Sequence, residues 1–303
     1  PLDSVGCYVP GGNYPLVSSV LMTVIPAKVA GVKEIIVCCP KITKEILAAC
    51  YIAGADKVFR VGGAQAIAAM AYGTETIPKV NKIVGPGNIY VTAAKKLVFG
   101  DAGIDFLAGP SEIMIIADKA NPEFIAADML AQSEHDAMAS AIFVTPSISL
   151  AKRVKQEIEK QIKKLKTKVI AKKSLENFGA IVIVKNIDEA FEFANDFAPE
   201  HLEIMAYDEN ALSKVRNAGA VFLGEYSPEA AGDYCSGPNH VLPTQGAAKF
   251  RAGLSVMDFL KMPTFQRLTK NGLQGIKDSI VSIAELEGLD AHAKSVKKRF
   301  END

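Results

Sequence analysis

Short β-branched runs alternate with helix-patterned segments along most of the 303 residues, and glycine turns join them. Residues 34–39 (EIIVCC) read as a buried strand, followed by a helix from Thr43 to about Gly54. Residues 57–61 form the next strand, and after Gly62-Gly63 an alanine-rich helix runs through Ala71. Residues 82–84 precede Gly85-Pro86-Gly87-Asn88, beyond which residues 90–98 resume helical spacing. Repeated strand–loop–helix units argue a parallel, doubly wound α/β sheet, since parallel neighbours are joined through crossovers. Right-handed crossovers place the loops at the carboxyl edge of the sheet, where ligands bind in such folds.

A second series starts with a strand at residues 113–117 and a helix at 122–134. A strand at 141–144 and a lysine-rich helix from Leu150 to about Lys168 follow. Further strands are expected at 180–184, 202–205 and 220–223, with a helix at 187–197. The length favours two domains, divided as 1–112 and 113–258, with the junction near Ala108-Gly109-Pro110-Ser111. Residues 259–303 form a C-terminal arm, helical and polar from Pro263 onward. The arm has too little apolar surface to fold alone and is expected to dock on something.

Lysine plus arginine equals aspartate plus glutamate, 34 each, so no global field draws the chain to nucleic acid or a membrane. Ten basic residues fall between Lys152 and Lys173, but Glu157 and Glu159 interleave and no aromatics accompany them, as in a solvated helix. The longest apolar stretch, residues 14–32, is interrupted by Ser18, Ser19, Pro26 and Lys28 and is no membrane span. Five cysteines without CxxC spacing fit a reducing, cytoplasmic setting. The chain opens at Pro1 directly before a dense motif and reads as a fragment.

Only four histidines occur, which makes the neighbours of each informative. Gln132 and His135 lie three apart at the end of an expected helix, on one face, able to converge on an ion or to form a plain polar cluster. Glu200-His201 opens a strand; a carboxylate beside an imidazole offers two general bases of different strength, unless the pair is only a surface loop. Asp233 and His240 bracket a stretch rich in Gly, Pro and Asn that reads as an ordered loop. Asp233, His135, the distant His292 and an amide oxygen are donors suited to Zn²⁺ or a similar ion. Neither GxGxxG nor a P-loop is present, though Gly62-Gly63-Ala64-Gln65 and Gly85-Pro86-Gly87-Asn88 each enter a helix. Their amides suit a pyrophosphate, or the loops are plain turns.

Nine stretches in order carry a resemblance: Tyr8-Val9-Pro10-Gly11-Gly12, Val61-Gly62-Gly63-Ala64-Gln65, Gly85-Pro86-Gly87-Asn88, Ala108-Gly109-Pro110-Ser111-Glu112, Gln132-Ser133-Glu134-His135, Ala198-Pro199-Glu200-His201-Leu202, Gly232-Asp233, Gly237-Pro238-Asn239-His240 and Glu287-Gly288-Leu289-Asp290-Ala291-His292. Over nearly its whole length the chain resembles the histidinol dehydrogenases, lacking an N-terminal segment that the family carries. The resemblance implies oxidation of L-histidinol through the aldehyde to L-histidine, with NAD accepting a hydride in each of two steps. It implies one zinc per subunit on Gln132, His135, Asp233 and His292, positioning the substrate rather than polarising the reacting oxygen. His201 corresponds to the base of the alcohol step and Glu200 to the base that activates water. Ser111, His240 and Glu287 match the substrate pocket, and Tyr8, Gln65 and Asn88 match NAD contacts. The implied fold is two Rossmann-like domains and a helical arm, in a homodimer where the partner supplies Glu287 and His292.

Three other assignments would each demand different residues. A same-family dehydrogenase of another polyol, such as a sulfonated diol, would alter Glu287 or His240. A non-catalytic binding module would not need Glu200-His201. An aldehyde dehydrogenase-like enzyme would need a nucleophilic cysteine, for which Cys235 is the one candidate near the expected site.

Overall fold

The computed structural model describes residues 1–11, 15–205 and 210–301. Gly12 of the first motif and Tyr14, where the apolar stretch begins, lie outside the described residues. The chain separates into two compact units, Pro1–Leu260 and Lys261–Asp303.

The first unit opens with β1 (Ser4–Tyr8), α1 (Val17–Ala30), β2 (Glu34–Cys38), α2 (Lys44–Ala53) and β3 (Lys57–Phe59). It continues with α3 (Gly63–Tyr72), β4 (Lys82–Val84), α4 (Ile89–Val98) and β5 (Gly103–Ile104). These strands make one parallel sheet in the order β3-β2-β1-β4-β5. Helices cover both faces: Val5, Cys7, Ile35 and Val37 belong to one core, Tyr8, Ile36, Cys38 and Ile83 to the other. Burial on both faces explains why these strands carry continuous apolar runs rather than alternation.

The second sheet follows with β6 (Glu112–Ile116), α5 (Pro122–Ser133), β7 (Ser140–Thr145), α6 (Ile148–Gln161), α7 (Lys168–Phe178) and β8 (Gly179–Ile183). Then come α8 (Ile187–Phe197), β9 (His201–Ile204), α9 (Ala211–Lys214), β10 (Ala220–Leu223) and α10 (Glu229–Tyr234). Its order, β10-β9-β6-β7-β8, repeats the winding of the first: the earliest strand is central, the next two lie on one side and the last two on the other. The expected α/β doubly wound architecture is therefore present twice.

Several expectations change in detail. The central strand β1 and the helix α1 were not anticipated. β1 contains Gly6, a poor strand former, but a side chain there would run into Met70 Sδ on α3. Helix α1 contains Pro26, which has no amide to offer the carbonyl four residues earlier. That carbonyl, on Met22, accepts instead from Asn239 Nδ2 at 2.7 Å. The lysine-rich segment is two helices, α6 and α7, separated by a 3₁₀ turn at Ile162–Lys164, not one helix to Lys168. Each turns a separate small face inward: Leu150, Ala151 and Val154 on α6, Ala171 and Ser174 on α7. Val241, Leu254 and Phe259 pack into the core beside the first sheet, and the Leu2 amide donates to the Phe259 carbonyl at 2.8 Å.

In the second unit α11 (Lys270–Leu286) and α12 (Asp290–Lys297) form a hairpin around Gly288, whose φ of +74° suits glycine. Ala284 and Ala293 are buried where the two helices meet. Met262, Phe265 and Leu286 are exposed. Among the described residues no helix is long and apolar enough to cross a membrane.

Candidate active site

Two sheet edges of the first unit carry the expected site residues other than Glu287 and His292. At the carboxyl edge of the first sheet, β1 and β4 are neighbours whose connections leave in opposite directions, which makes a topological switch point. Tyr8 ends β1 and the Gly85–Asn88 loop follows β4, so both lie at this crevice. The Tyr8 hydroxyl accepts from the Gly63 amide at 3.1 Å, tying in the second glycine loop. Asn88 caps α4, its Oδ1 accepting from the amides of Tyr90 (3.1 Å) and Val91 (3.2 Å). Gln65 is exposed on the first turn of α3.

Glu200 and His201 lie elsewhere, at the amino edge of the second sheet, where β6 and β9 begin in parallel. The glycine loops lie at the carboxyl edge as expected, and the pair opens its strand as expected, which puts it at the amino edge. The surface-loop alternative fails, because Glu200 and His201 are only 5% and 4% exposed. One residue organises both side chains. The Glu112 amide donates to Glu200 Oε2 at 2.9 Å, and the Glu112 carbonyl lies 3.0 Å from His201 Nδ1. A carbonyl only accepts, so Nδ1 carries the proton and Nε2 presents a lone pair when the ring is neutral. Burial pushes His201 down to about 4, so the ring is neutral around pH 7. Burial also raises Glu200 well above the ordinary carboxylate range, while the Glu112 amide favours its ionised form.

The helix expected to carry both Gln132 and His135 ends at Ser133, so His135 sits beyond it in a turn, with its side chain 43% exposed. Gln132 is fully buried, and among the described residues neither of its amide atoms has a hydrogen-bond partner. Asp233, expected at the edge of a loop, lies on the short helix α10, which ends one residue later at Tyr234. His135 Nε2 is 3.9 Å from Asp233 Oδ2, and His240 Nδ1 is 3.6 Å from Asp233 Oδ1 and 3.1 Å from its carbonyl. Ser111 immediately precedes β6 and receives the Ser140 amide on its carbonyl at 2.9 Å. Glu287 and His292 belong to the second unit, at the end of α11 and on α12, both exposed. Cys235 is exposed just past α10.

Glu229 was not anticipated. It is 1% exposed, its Oε1 lies 3.9 Å from His201 Nε2, and burial raises it to about 9. With His201 and Asp233 it forms a group whose ligand atoms all fall within 4.8 Å of one another. The sequence signal was available: Glu229 follows Pro228 and stands four residues before Asp233, one helical turn away on the same face. Glu203 and Asp128 extend the carboxylate group inward. Burial raises both, and they hydrogen-bond each other.

Gln132, His135 and Asp233 are donor types that suit a metal, and His135 and Asp233 already approach to 3.9 Å. The unsatisfied, fully buried amide of Gln132 is the strongest sign, since such a group normally has a partner.

The histidinol dehydrogenase family model matches residues 1–300. The chain is 54% identical to the histidinol dehydrogenase of Methanothermobacter thermautotrophicus over 99% of its own length and 72% of that protein. To the histidinol dehydrogenase of Aquifex aeolicus it is 55% identical, over 99% of this chain and 71% of that one. The crystal structure of the Elizabethkingia anophelis histidinol dehydrogenase superposes with a TM-score of 0.95 at 44% identity, covering 99% of this chain and 71% of that one.

Proposed function

The chain belongs to the histidinol dehydrogenase family, an oxidoreductase of histidine biosynthesis, and on that premise we propose how its residues divide two successive oxidations. L-histidinol is oxidised through the aldehyde to L-histidine. The observation that carries the division is the buried, neutral His201, with Nδ1 held by the Glu112 carbonyl and Nε2 free to accept a proton. His201 takes the alcohol proton in the first oxidation. Glu200 takes a proton from the water that adds to the aldehyde, so that the hydrate can be oxidised in turn. The Glu112 amide holds Glu200 Oε2 in place for that role. Glu229 Oε1 lies 3.9 Å from His201 Nε2, beside the atom that accepts the proton.

Gln132, His135 and Asp233, with His292 from the C-terminal arm, would hold zinc. When bound, zinc supplies an anchor for the amine and imidazole of the substrate, and NAD is the acceptor of a hydride in each oxidation. Ser111, His240 and Glu287 line the substrate pocket, where imidazole and carboxylate suit a polar, cationic ligand. Tyr8, Gln65 and Asn88 contact NAD, in keeping with the place of Tyr8 and Asn88 at the switch point of the first sheet and the tie from the Gly63 amide to Tyr8. The arm carrying Glu287 and His292 completes the site of a second subunit in a homodimer; its exposed Met262, Phe265 and Leu286 suit such docking. The proposed division of labour is 1–112 for NAD, 113–258 for catalysis and 259–303 for dimerisation, with Val241 and Leu254 of the middle segment packing back beside the first sheet.

The test is NADH formation from L-histidinol with and without a chelator. Zinc-loaded protein that forms no NADH would contradict the substrate assignment. Deleting residues from Pro263 onward is expected to abolish dimerisation and activity together.

A further inference from the structure

Beneath the Gly85–Asn88 loop lies a buried ion pair, Lys95 on α4 and Asp105 after β5, 2% and 3% exposed. Both ends hold the same glycine. The Gly85 amide donates to Asp105 Oδ2 at 2.7 Å, and the Gly85 carbonyl accepts from Lys95 Nζ at 3.0 Å. Lys95 also donates to Asp105 Oδ1, which accepts from the Phe106 amide at 2.6 Å. Gly85 has a φ of +111°, and a side chain there would overlap the Tyr8 carbonyl oxygen. The loop is therefore fixed at both ends, at Gly85 by the ion pair and at Asn88 by its cap on α4.

Burying two charges costs desolvation that a packed apolar pair avoids, so stability alone does not explain the pair. Its hydrogen bonds instead specify one backbone conformation in a loop of Gly, Pro and Gly. We propose that Lys95 and Asp105 are positioning residues that pre-form the Gly85–Asn88 loop for the dinucleotide and so set affinity for NAD without touching it. This rests on the reading that the loop binds NAD. Binding to a loop already in its bound shape avoids the ordering cost of closing a flexible one.

The pair is tested with K95M/D105L, which removes both charges and leaves no buried ion unpaired, and with K95M/D105N, which keeps an acceptor for the Gly85 amide. Calorimetric titration of NAD⁺ into the zinc-loaded protein is expected to show affinity about tenfold weaker for K95M/D105L and partly restored in K95M/D105N. The KM for NAD⁺ should rise in step, with kcat at saturating NAD⁺ and the KM for L-histidinol within about twofold. A folded K95M/D105L protein with unchanged affinity for NAD⁺ would overturn the proposal. Asn88→Asp, which keeps the cap on α4, separates the two readings: if it weakens NAD⁺ while K95M/D105L does not, the positioning role fails and the loop assignment stands. If neither changes NAD⁺ affinity, the loop assignment fails as well. Should the double variants not fold, amide exchange on the unaltered protein decides. Gly85 is expected to be protected equally with and without NAD⁺; an amide that exchanges freely until NAD⁺ binds would overturn the proposal.

Discussion

His201 Nδ1 lies 3.0 Å from the carbonyl oxygen of Glu112, and this contact decides which imidazole nitrogen is free. With the proton on Nδ1, Nε2 is the base. Because burial lowers His201 to about 4, this base is lost only as pH falls through that value and is fully present above it. Replacing His201 with Gln is expected to slow oxidation of L-histidinol by about 10²–10⁴-fold, the usual contribution of a positioned general base. Oxidation of the aldehyde, assayed separately, should suffer less.

Glu200 moves in the opposite sense. Burial raises it, so the carboxylate needed to activate water forms only as pH rises through a value above the ordinary carboxylate range. Aldehyde oxidation should therefore lose rate on the acid side earlier than a solvated glutamate would dictate. Glu200→Gln should abolish that limb and lower the rate at its plateau. A pH–rate profile of the aldehyde step, with and without the substitution, reads both effects.

The buried amide of Gln132 has no partner among the described residues. A buried polar group left unsatisfied costs about 1–3 kcal/mol. Gln132→Leu is expected to stabilise the metal-free protein by up to that amount while reducing the zinc retained after dialysis. Metal analysis and chemical denaturation of the same sample check the two opposed outcomes.

Much of this was legible in the residues. The parallel, doubly wound class of both sheets follows from strand–loop–helix alternation, though not their strand order, and α8 and β10 fall where the pattern puts them. What escaped reading has specific physical reasons. β1 is short and holds Gly6, whose purpose is visible only once α3 crosses it. Helix α1 was disguised by Pro26, and its freed carbonyl finds Asn239 far along the chain. Glu229 did not stand out because its one-turn spacing to Asp233 carries weight only when Glu229–Tyr234 is known to be a helix. That Glu200 and His201 open a strand was legible, but their shared partner Glu112 depends on the pairing of β6 with β9, a long-range fact that local pattern does not contain.

Asp128 and Glu203 form a buried carboxyl pair whose effect on stability has a definite sign. Asp128 is raised to about 6, and burial raises Glu203 as well, so the folded state keeps protons that the unfolded state releases. Their contribution is fully present below the ordinary carboxylate range and is lost as pH rises through about 6 and beyond. Unfolding free energy is expected to fall over that interval, and Glu203→Gln should flatten the fall. Denaturant titrations at several pH values measure the slope.

The central claim, that His201 and Glu200 serve consecutive oxidations, is tested most directly by counting NADH formed per L-histidinol in a limiting-substrate reaction. The unaltered zinc-loaded enzyme is expected to form two. Glu200→Gln is expected to form one promptly, with the second delayed. Prompt formation of two NADH by Glu200→Gln, or loss of the first along with the second, would contradict the division of roles.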